Sequence, residues 1–338
     1  MMKVVIRRVL VMPFLLLGIV TATFILAQFT KGNPLVSIIG ARALSNPEIV
    51  AAAKARWGLD RSVPERYAIY IWNLAHGDLG TSFRTKQPVL TDLAQRLPPT
   101  LELVICAMFV GTLAGVTLAV ISAEFKNTAA DHIARFVALV GSCFPVFWLG
   151  LIALFLFSVQ TKILPGAGRL DIRAAAPVQV TGFLLVDTLL ARNWSGFVDA
   201  FRHLILPSLV LGWSVTGIVA RMVRASLLDV LNHDYITMAR AKGASRLRVL
   251  VHHALANALI PALTILGFTF AYLITGSVLV ETIFSWPGVG SYAVEAARGL
   301  DYPAIAGVTI LGGLGFLLAN LLTDLAYVVV DPRMRASS

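Results

Sequence analysis

Charge is scarce in this chain. Of 338 residues, 14% are Asp, Glu, Lys or Arg and 57% are hydrophobic, with a mean hydropathy of +0.80. An ordinary soluble domain carries roughly 25% charged residues. The deficit runs through most of the chain and leaves apolar runs long enough to span a bilayer, which argues for a polytopic membrane protein over a very apolar soluble enzyme. Cysteine is nearly absent too: Cys106 and Cys143 fall inside apolar runs without metal-like spacing. They read as small core residues and say nothing about redox compartment.

Catalytic signatures are missing as well. No Gly-Lys dipeptide occurs, so there is no Walker A loop, and none of the six His is followed by the Glu of a zinc HExxH motif. There is no GxSxG elbow. "GTSF" and "GWSV" hold a bare Gly-x-Ser, but an intramembrane serine protease also needs a base within the membrane. His252 and His253 fall on a loop, and His203 stands where a helix begins. The chain carries no engine of its own, so energy for any work comes from a partner or an ion gradient.

What charge there is has one dominant sign. Lys and Arg number 28 against 18 Asp and Glu, a net +10. On a soluble protein that excess suggests nucleic acid. Here the cations gather in loops, where they set topology and meet anionic headgroups.

The pattern predicts an all-α protein with six transmembrane helices: Val9–Gln28, Leu101–Ser122, Ile133–Val159, Leu204–Val223, Leu259–Ile283 and Ile305–Val329. The first is preceded by Lys3, Arg7 and Arg8 and is read as uncleaved, being too long for a typical signal-peptide core and lacking a clear small-x-small cleavage site. Pro145, Pro207 and Pro261 lie in or at the edges of helices, as membrane helices tolerate. Gly111 and Gly115 form a GxxxG pair, and Gly312, Gly313 and Gly315 crowd the sixth span, both suggesting close helix packing.

Basic residues set the orientation. Lys126, Arg224, Arg240, Lys242, Arg246, Arg248, Arg333 and Arg335 join the N-terminal three on one side, while the short loop 284–304 opposite holds only Arg298. The reading is N-in and C-in. Residues 1–30 form a cytoplasmic stub with the first span, 31–100 an extracytoplasmic region, and 101–338 a five-helix core with a cytoplasmic loop at 224–258. In the first outer region, "SNPEIVAAAKARWG" reads as a helix capped by Ser45 or Asn46 and stopped by Gly58. In the second, Thr161–His203, "TGFLLVDTLL" reads as a short helix at the membrane interface.

Within the inner loop, "DYITMARAKGAS" reads as a helix with Asp234 as N-cap, Lys242 in the last turn and Gly243 as a left-handed stop. Ser245 then caps a second helix, "RLRVLVHHALANALI". Ala239, Ala241 and Ala244 give little bulk, and Arg240, Lys242, Arg246 and Arg248 frame them. Such a helix fits a groove on another protein, or equally is a basic loop meeting lipid headgroups. Two carboxylates lie near or inside spans, and buried membrane carboxylates are functional by default. Against that stand a structural cap or interfacial role for Glu281 and a helix-end pairing with Arg333 for Asp324, so neither is assigned to substrate.

"DYITMARAKGASRLRVLVHHALANALIPAL" closely resembles the cytoplasmic loop of bacterial ABC-importer permeases. The family's general motif places Glu-Ala-Ala six residues before the glycine, where this chain has Thr237, Met238 and Ala239 before Gly243. The form "DYxxxARAKG…HALxNALIP" resembles the peptide/nickel branch instead. "GDLGTSF", "RLPPTLEL", "FPVFWLG", "ILPGAG", "HLILPSLVLG", "ETIFSWPGVG" and the closing "DPR" extend that likeness over nearly the whole chain. "TGFLLVDTLL" looks more like dipeptide permeases than nickel ones.

The resemblance implies the type I ABC-importer permease fold and a peptide cargo delivered by an external binding protein. It implies two ABC ATP-binding subunits and a second homologous permease as partners, with membrane lipid around them and no nucleic acid. No cofactor or metal is expected in this chain, since ATP and Mg would be held by the ATP-binding subunits. The stretch 234–245 would be the coupling helix, with Asp234, Tyr235, Ala239, Ala241, Lys242 and Gly243 as docking elements. An ion-driven secondary transporter or channel is the alternative. It would more often show mid-membrane ionisable residues and inverted halves, and neither is clear.

Overall fold

The computed structural model describes residues 2–29, 34–56 and 58–330. The closing DPR with Arg333 and Arg335 lies outside them, as do the side chains of Lys3, Arg7, Arg8 and Asp324. Among the described residues no β-strand forms beyond one isolated bridge between Thr81 and Pro88.

The chain opens with α1 (Met2–Phe29), then α2 (Pro34–Ile39), α3 (Pro47–Arg56) and α4 (Val63–Ala75). The cap expected for α3 forms, because the Asn46 side chain accepts from the amides of Glu48 and Ile49 at 3.0 and 3.4 Å. The long α5 (Val89–Glu124) is followed by α6 (Ala129–Cys143), α7 (Val146–Ala153) and a π-helical turn at Leu154–Gln160. After the short α8 (Leu184–Leu190) comes α9 (Trp194–Val230). Then follow α10 (Asp234–Ala241), α11 (Arg246–Arg248), a second π-helical turn at Val249–Leu255, and α12 (Ala256–Gly276). The chain ends with α13 (Val278–Ile283), α14 (Val289–Arg298) and α15 (Tyr302–Val330).

Among the described residues four helical runs are long and apolar enough to cross a membrane: Val89–Glu124, Trp194–Val230, Arg246–Ile283 and Tyr302–Thr323. A shorter apolar stretch, Leu10–Leu26, lies within α1. The run expected as one span over Ile133–Val159 is instead two helices bent by 103° at Phe144 and Pro145. Proline drives the residue before it out of the α region, and Phe144 takes φ −81° and ψ 134°. The bend leaves Cys143 exposed at the end of α6, contrary to the core position expected for it. Both long loops are shorter than expected, since α5 begins at Val89 and α9 at Trp194.

The core is built on α5 and α9, which run parallel. Between lipid-embedded helices there is little hydrophobic driving force, so close approach and dispersion decide packing. Glycine supplies the approach. A Cβ on Gly115 would sit 2.8 Å from Val219 Cβ, and one on Gly212 would sit 2.7 Å from the Ala107 carbonyl. Around this seam Leu103, Val104, Leu211, Val215, Val219, Val223 and Leu227 are fully buried. The opposed α6 crosses α9 with Gly141 against Trp213. On α15, Gly313 faces Ile19 of α1 and Gly312 faces Thr275 of α12, so the expected glycine crowding serves two neighbours.

These contacts define two ends of the bundle. At one, the C-termini of α5 and α9 meet α10 and the start of α12. At the other, the N-termini of α5, α9 and α15 meet α13, α14 and the loops before α5 and α9.

Candidate functional site

The α10 turn is a helix, a glycine stop and a second helix. His233, not Asp234, takes the N-cap position, with φ −76° and ψ 150°. The His233 carbonyl accepts the first helical amides, from Ile236 at 3.0 Å and Thr237 at 3.4 Å, which leaves Asp234 inside the first turn. A carboxylate there still opposes the positive end of the helix. Lys242 is the C-cap residue, one step beyond the last helical turn.

Gly243 has φ +83°. Its amide donates to the Arg240 carbonyl at 2.9 Å, and the Ala244 amide donates to Ala239 at 3.1 Å. This pair is the Schellman closure, which satisfies helix-end carbonyls through a left-handed residue. Ser245 caps the next helix, its hydroxyl accepting from the Arg248 amide at 3.4 Å.

Three contacts hold the turn. Ile236 is fully buried, with Ala239 and Ala244 packed partly against the same core. The Tyr235 hydroxyl accepts from Asn257 Nδ2 at 3.1 Å. Arg246 reaches the end of α5, with Nε 2.6 Å from Glu124 Oε1 and Nη2 donating to the Glu124 carbonyl at 2.8 Å. Behind it lies a buried cluster of α5, α6 and α9. There Asp131 accepts from Ser122 Oγ at 2.5 Å, from Arg224 at 3.2 Å and from the Asn127 amide at 3.0 Å, with Arg135 Nε 3.1 Å away.

Of the candidate docking residues, Asp234, Tyr235, Ala241, Lys242 and Gly243 are exposed, while Ala239 is half-buried toward the core. Tyr235, Ala239, Lys242 and Gly243 line a surface groove of about 500 Å³. Asp234 and Ala241 are not in its lining. Ala244 and Arg248, read from the sequence as small and framing residues, line it too, and sequence reasoning missed Met238, His252 and His253, which complete the groove. The two histidines come from the π-helical turn, which no sequence signal announced. Among the described residues Arg240, Lys242 and Arg248 have no carboxylate partner, so the surface is basic and open.

The opposite end is closed by carboxylates. Glu281 is fully buried and accepts from Thr100 Oγ1 and Ser277 Oγ at 2.8 Å each and from the Ser291 amide at 2.9 Å. Trp286 Nε1 donates to the Pro99 carbonyl at 2.9 Å. Of the two roles left open for Glu281, the geometry shows the structural one. Glu102 accepts from Arg169 Nη2 at 2.5 Å and from the Leu185 amide at 2.8 Å. The motifs "RLPPTLEL", "ILPGAG" with its following arginine, "TGFLLVDTLL" and "ETIFSWPGVG" thereby meet in one clasp.

Two further carboxylates extend it. Asp92 accepts from the hydroxyls of Tyr292 at 2.9 Å and Thr85 at 2.6 Å, and Asp301 accepts from Ser82 at 2.6 Å. In the loop before α9, Asp187 accepts from the Thr181 amide and hydroxyl at 2.8 Å each and from the Gly182 amide at 3.0 Å. Burial works to raise its pKa, and these donors outweigh burial and hold it below the ordinary carboxylate range. Among the described residues no group of three His, Cys, Asp or Glu is placed to hold a metal ion.

An open basic turn at one end and a loop clasp at the other, joined by apolar helices, suit a membrane component driven by partners. Residues 115–336 match the family described as "Binding-protein-dependent transport system inner membrane component", and residues 1–104 match its N-terminal companion. The chain belongs to this family. It is a multi-pass inner-membrane permease component of an ABC importer and not an enzyme. The chain is 40% identical over 338 residues to the dipeptide transport system permease protein DppB of Escherichia coli K12, covering 99% of each chain. It is likewise 40% identical to the di/tripeptide transport system permease protein DppB of Pseudomonas aeruginosa UCBPP-PA14, again over 99% of each. To the E. coli K12 protein named "Probable D,D-dipeptide transport system permease protein DdpB" it is 42% identical, over 94% of this chain and 93% of that one.

Proposed function

We propose that this permease forms half of the translocation path of an ATP-driven dipeptide importer, beside a second, non-identical permease. Two ATP-binding subunits dock on the α10 turn, and an external binding protein delivers the cargo to the clasp end. The chain crosses the membrane six times with both termini inside. The bent α6–α7 pair and α1 supply the two crossings beyond the four long apolar runs. ATP and Mg belong to the docked subunits, and this chain holds neither.

The observation that carries the reading is the Schellman-closed, exposed α10 turn, whose Arg240, Lys242 and Arg248 have no carboxylate partner among the described residues. Only differential contact with two states of a partner shifts a conformational equilibrium. The turn offers such a contact, because Ile236 and Arg246 tie it to the core and to α5 while its outer face stays free. Closure of the ATP-binding subunits carries the two α10 turns with them and swings the attached spans. Full-length likeness to permeases named for dipeptides supports the cargo. The ion-driven alternative has less support, since Glu281, Glu102, Asp92, Asp131 and Asp301 all have donors in place and serve as structural acceptors.

The test is a gentle-detergent pull-down of the tagged chain from its native membrane, with wild type beside Gly243→Val. Wild type should bring down two ATP-binding subunits and a second permease, and the variant should lose the ATP-binding subunits. Wild type coming down alone, under conditions that preserve other such complexes, sinks the reading.

A further inference from the structure

At the clasp end a cavity of about 990 Å³ opens between the N-terminal sector and α15. This lies at the upper end of ligand-site volumes, which run from roughly 300 to 1,000 Å³. One wall is membrane-type surface: Phe24 and Leu26 of α1 face Ile305 and Thr309 of α15. Another is the turn region around α3 and α4, which contributes Lys54, Arg61 and Arg66. Among the described residues Asp78 is the one acidic residue in the lining, and its carboxylate already accepts from the Gly80 amide at 2.8 Å. Arg66 donates to Gln28 at 3.2 Å, and among the described residues Arg61 has only an exposed Glu65 at 3.9 Å.

Tyr70 also lines the cavity, stacked on Phe24 at 5.9 Å. Its hydroxyl is buried and has no hydrogen-bond partner among the described residues. Such a group calls for an explanation, and an absent acceptor is one. Burial pushes its pKa up to about 12, so it remains a donor at any physiological pH.

We propose that this cavity seats an anionic phospholipid, with acyl chains between α1 and α15 and the phosphate among Lys54, Arg61 and Arg66. Charge complementarity favours this occupant. So does access, because α1 exposes Ile25 and Leu26 where Phe24 and Leu26 line the cavity, and lipid can enter from the bilayer. The Tyr70 hydroxyl then donates to a phosphate or ester oxygen. The inference goes beyond the importer reading and does not depend on the α10 docking.

The test uses the whole transporter, purified from its native membrane and delipidated in mild detergent. It is then offered phosphatidylglycerol or phosphatidylcholine of equal chain length, and bound lipid is counted by native mass spectrometry. Wild type should retain phosphatidylglycerol over phosphatidylcholine by roughly fivefold or more, given several cations beside one headgroup. Lys54→Gln with Arg61→Gln should lose that preference, and Tyr70→Phe, a near-isosteric change, should weaken retention several-fold. Tyr70→Phe keeps the test decisive if the double variant fails to assemble. Equal retention of the two lipids overturns the proposal, as does unchanged retention in Tyr70→Phe. Release of the lipid by purified binding protein overturns it too, in favour of a protein seat. Displacement by inorganic phosphate alone reduces the site to an anion site and also overturns it.

Discussion

The two ends of this permease solve opposite problems. At the clasp, five carboxylates (Asp92, Glu102, Asp187, Glu281 and Asp301) each accept from donors on the chain itself. At the α10 turn the cations Arg240, Lys242 and Arg248 face outward without partners among the described residues. The clasp carboxylates find their donors within one chain, and the α10 cations are an invitation to another. Burial follows the same division, since Glu281 is fully buried while Tyr235 and Met238 are 42% and 59% exposed. A polar group sealed inside must find its partners at home, whereas one left in water waits for a partner at little cost.

The contrast predicts that clasp variants fail by unfolding and turn variants fail by uncoupling. The largest effect is expected at Glu281→Ala. It strands the hydroxyls of Thr100 and Ser277 and the amide of Ser291, three donors at about 1 kcal/mol or more each. Melting of the detergent-solubilised chain should drop steeply, with little protein left in the membrane. Normal melting would mean that the clasp is not a structural unit.

Next comes the seam that joins the ends. Gly212→Val drives a side chain into the Ala107 carbonyl, where even a Cβ would sit at 2.7 Å, at a cost of about 1–3 kcal/mol. Fluorescence-detected gel filtration should show reduced monodispersity, and an unchanged profile would refute the close seam.

The sharpest single test is Gly243→Val. Nothing stands within 4 Å of its Cβ position, so the only penalty is backbone strain at φ +83°, about 1–2 kcal/mol. Uptake of a labelled dipeptide should fall more than roughly tenfold, as loss of a coupling contact worth 1.4 kcal/mol or more requires, while insertion and melting stay near wild type. Melting lowered as far as in Glu281→Ala would erase the contrast.

The smallest effect concerns acid. Asp187 has a folded pKa below its unfolded value, so its contribution is present above the unfolded value and is lost as pH falls through the folded one. Amide exchange in residues 181–190, corrected for intrinsic rate, should be flat from pH 7 to pH 5 and rise only below about pH 3.9, the ordinary Asp value. In Asp187→Asn the amides should be unprotected throughout. A rise already at pH 5 in wild type would contradict the anchoring role.

The α10 turn was legible because its signals are local. A glycine after a run of helix formers and a serine before the next helix act within a few residues of themselves, and Gly243 and Ser245 perform as read. The choice of Asp234 as cap missed by one residue, since a histidine with extended backbone supplies the carbonyl as well as an acidic residue would. The clasp was legible only as separate motifs. Thr100 and Glu281 lie 181 positions apart, and Glu102 and Arg169 lie 67 apart, so no window along the chain joins them. Pro145 was visible, yet whether a proline kinks a helix or breaks it depends on the neighbours that re-satisfy the backbone. There the chain turns by 103°. The π-helical turn that brings His252 and His253 to the groove leaves no compositional trace.

The parallel α5 and α9 helices have a mechanical consequence. They contain 36 and 37 residues, each about 54 Å long at 1.5 Å per residue, against roughly 30 Å of hydrocarbon. Both are therefore longer than the hydrocarbon core is thick, and glycine contacts hold them together along the seam. On α5, Asp92 lies in the first turn and Thr100 and Glu102 roughly two to three turns further in, while the far ends of the pair carry Glu124, the partner of Arg246, and the short lead into α10. Pro98 and Pro99 interrupt the hydrogen-bond ladder of α5 and Pro207 that of α9, so the shaft is stiff where Gly111, Gly115 and Gly212 lock the two helices together and has its give at the prolines on the clasp side.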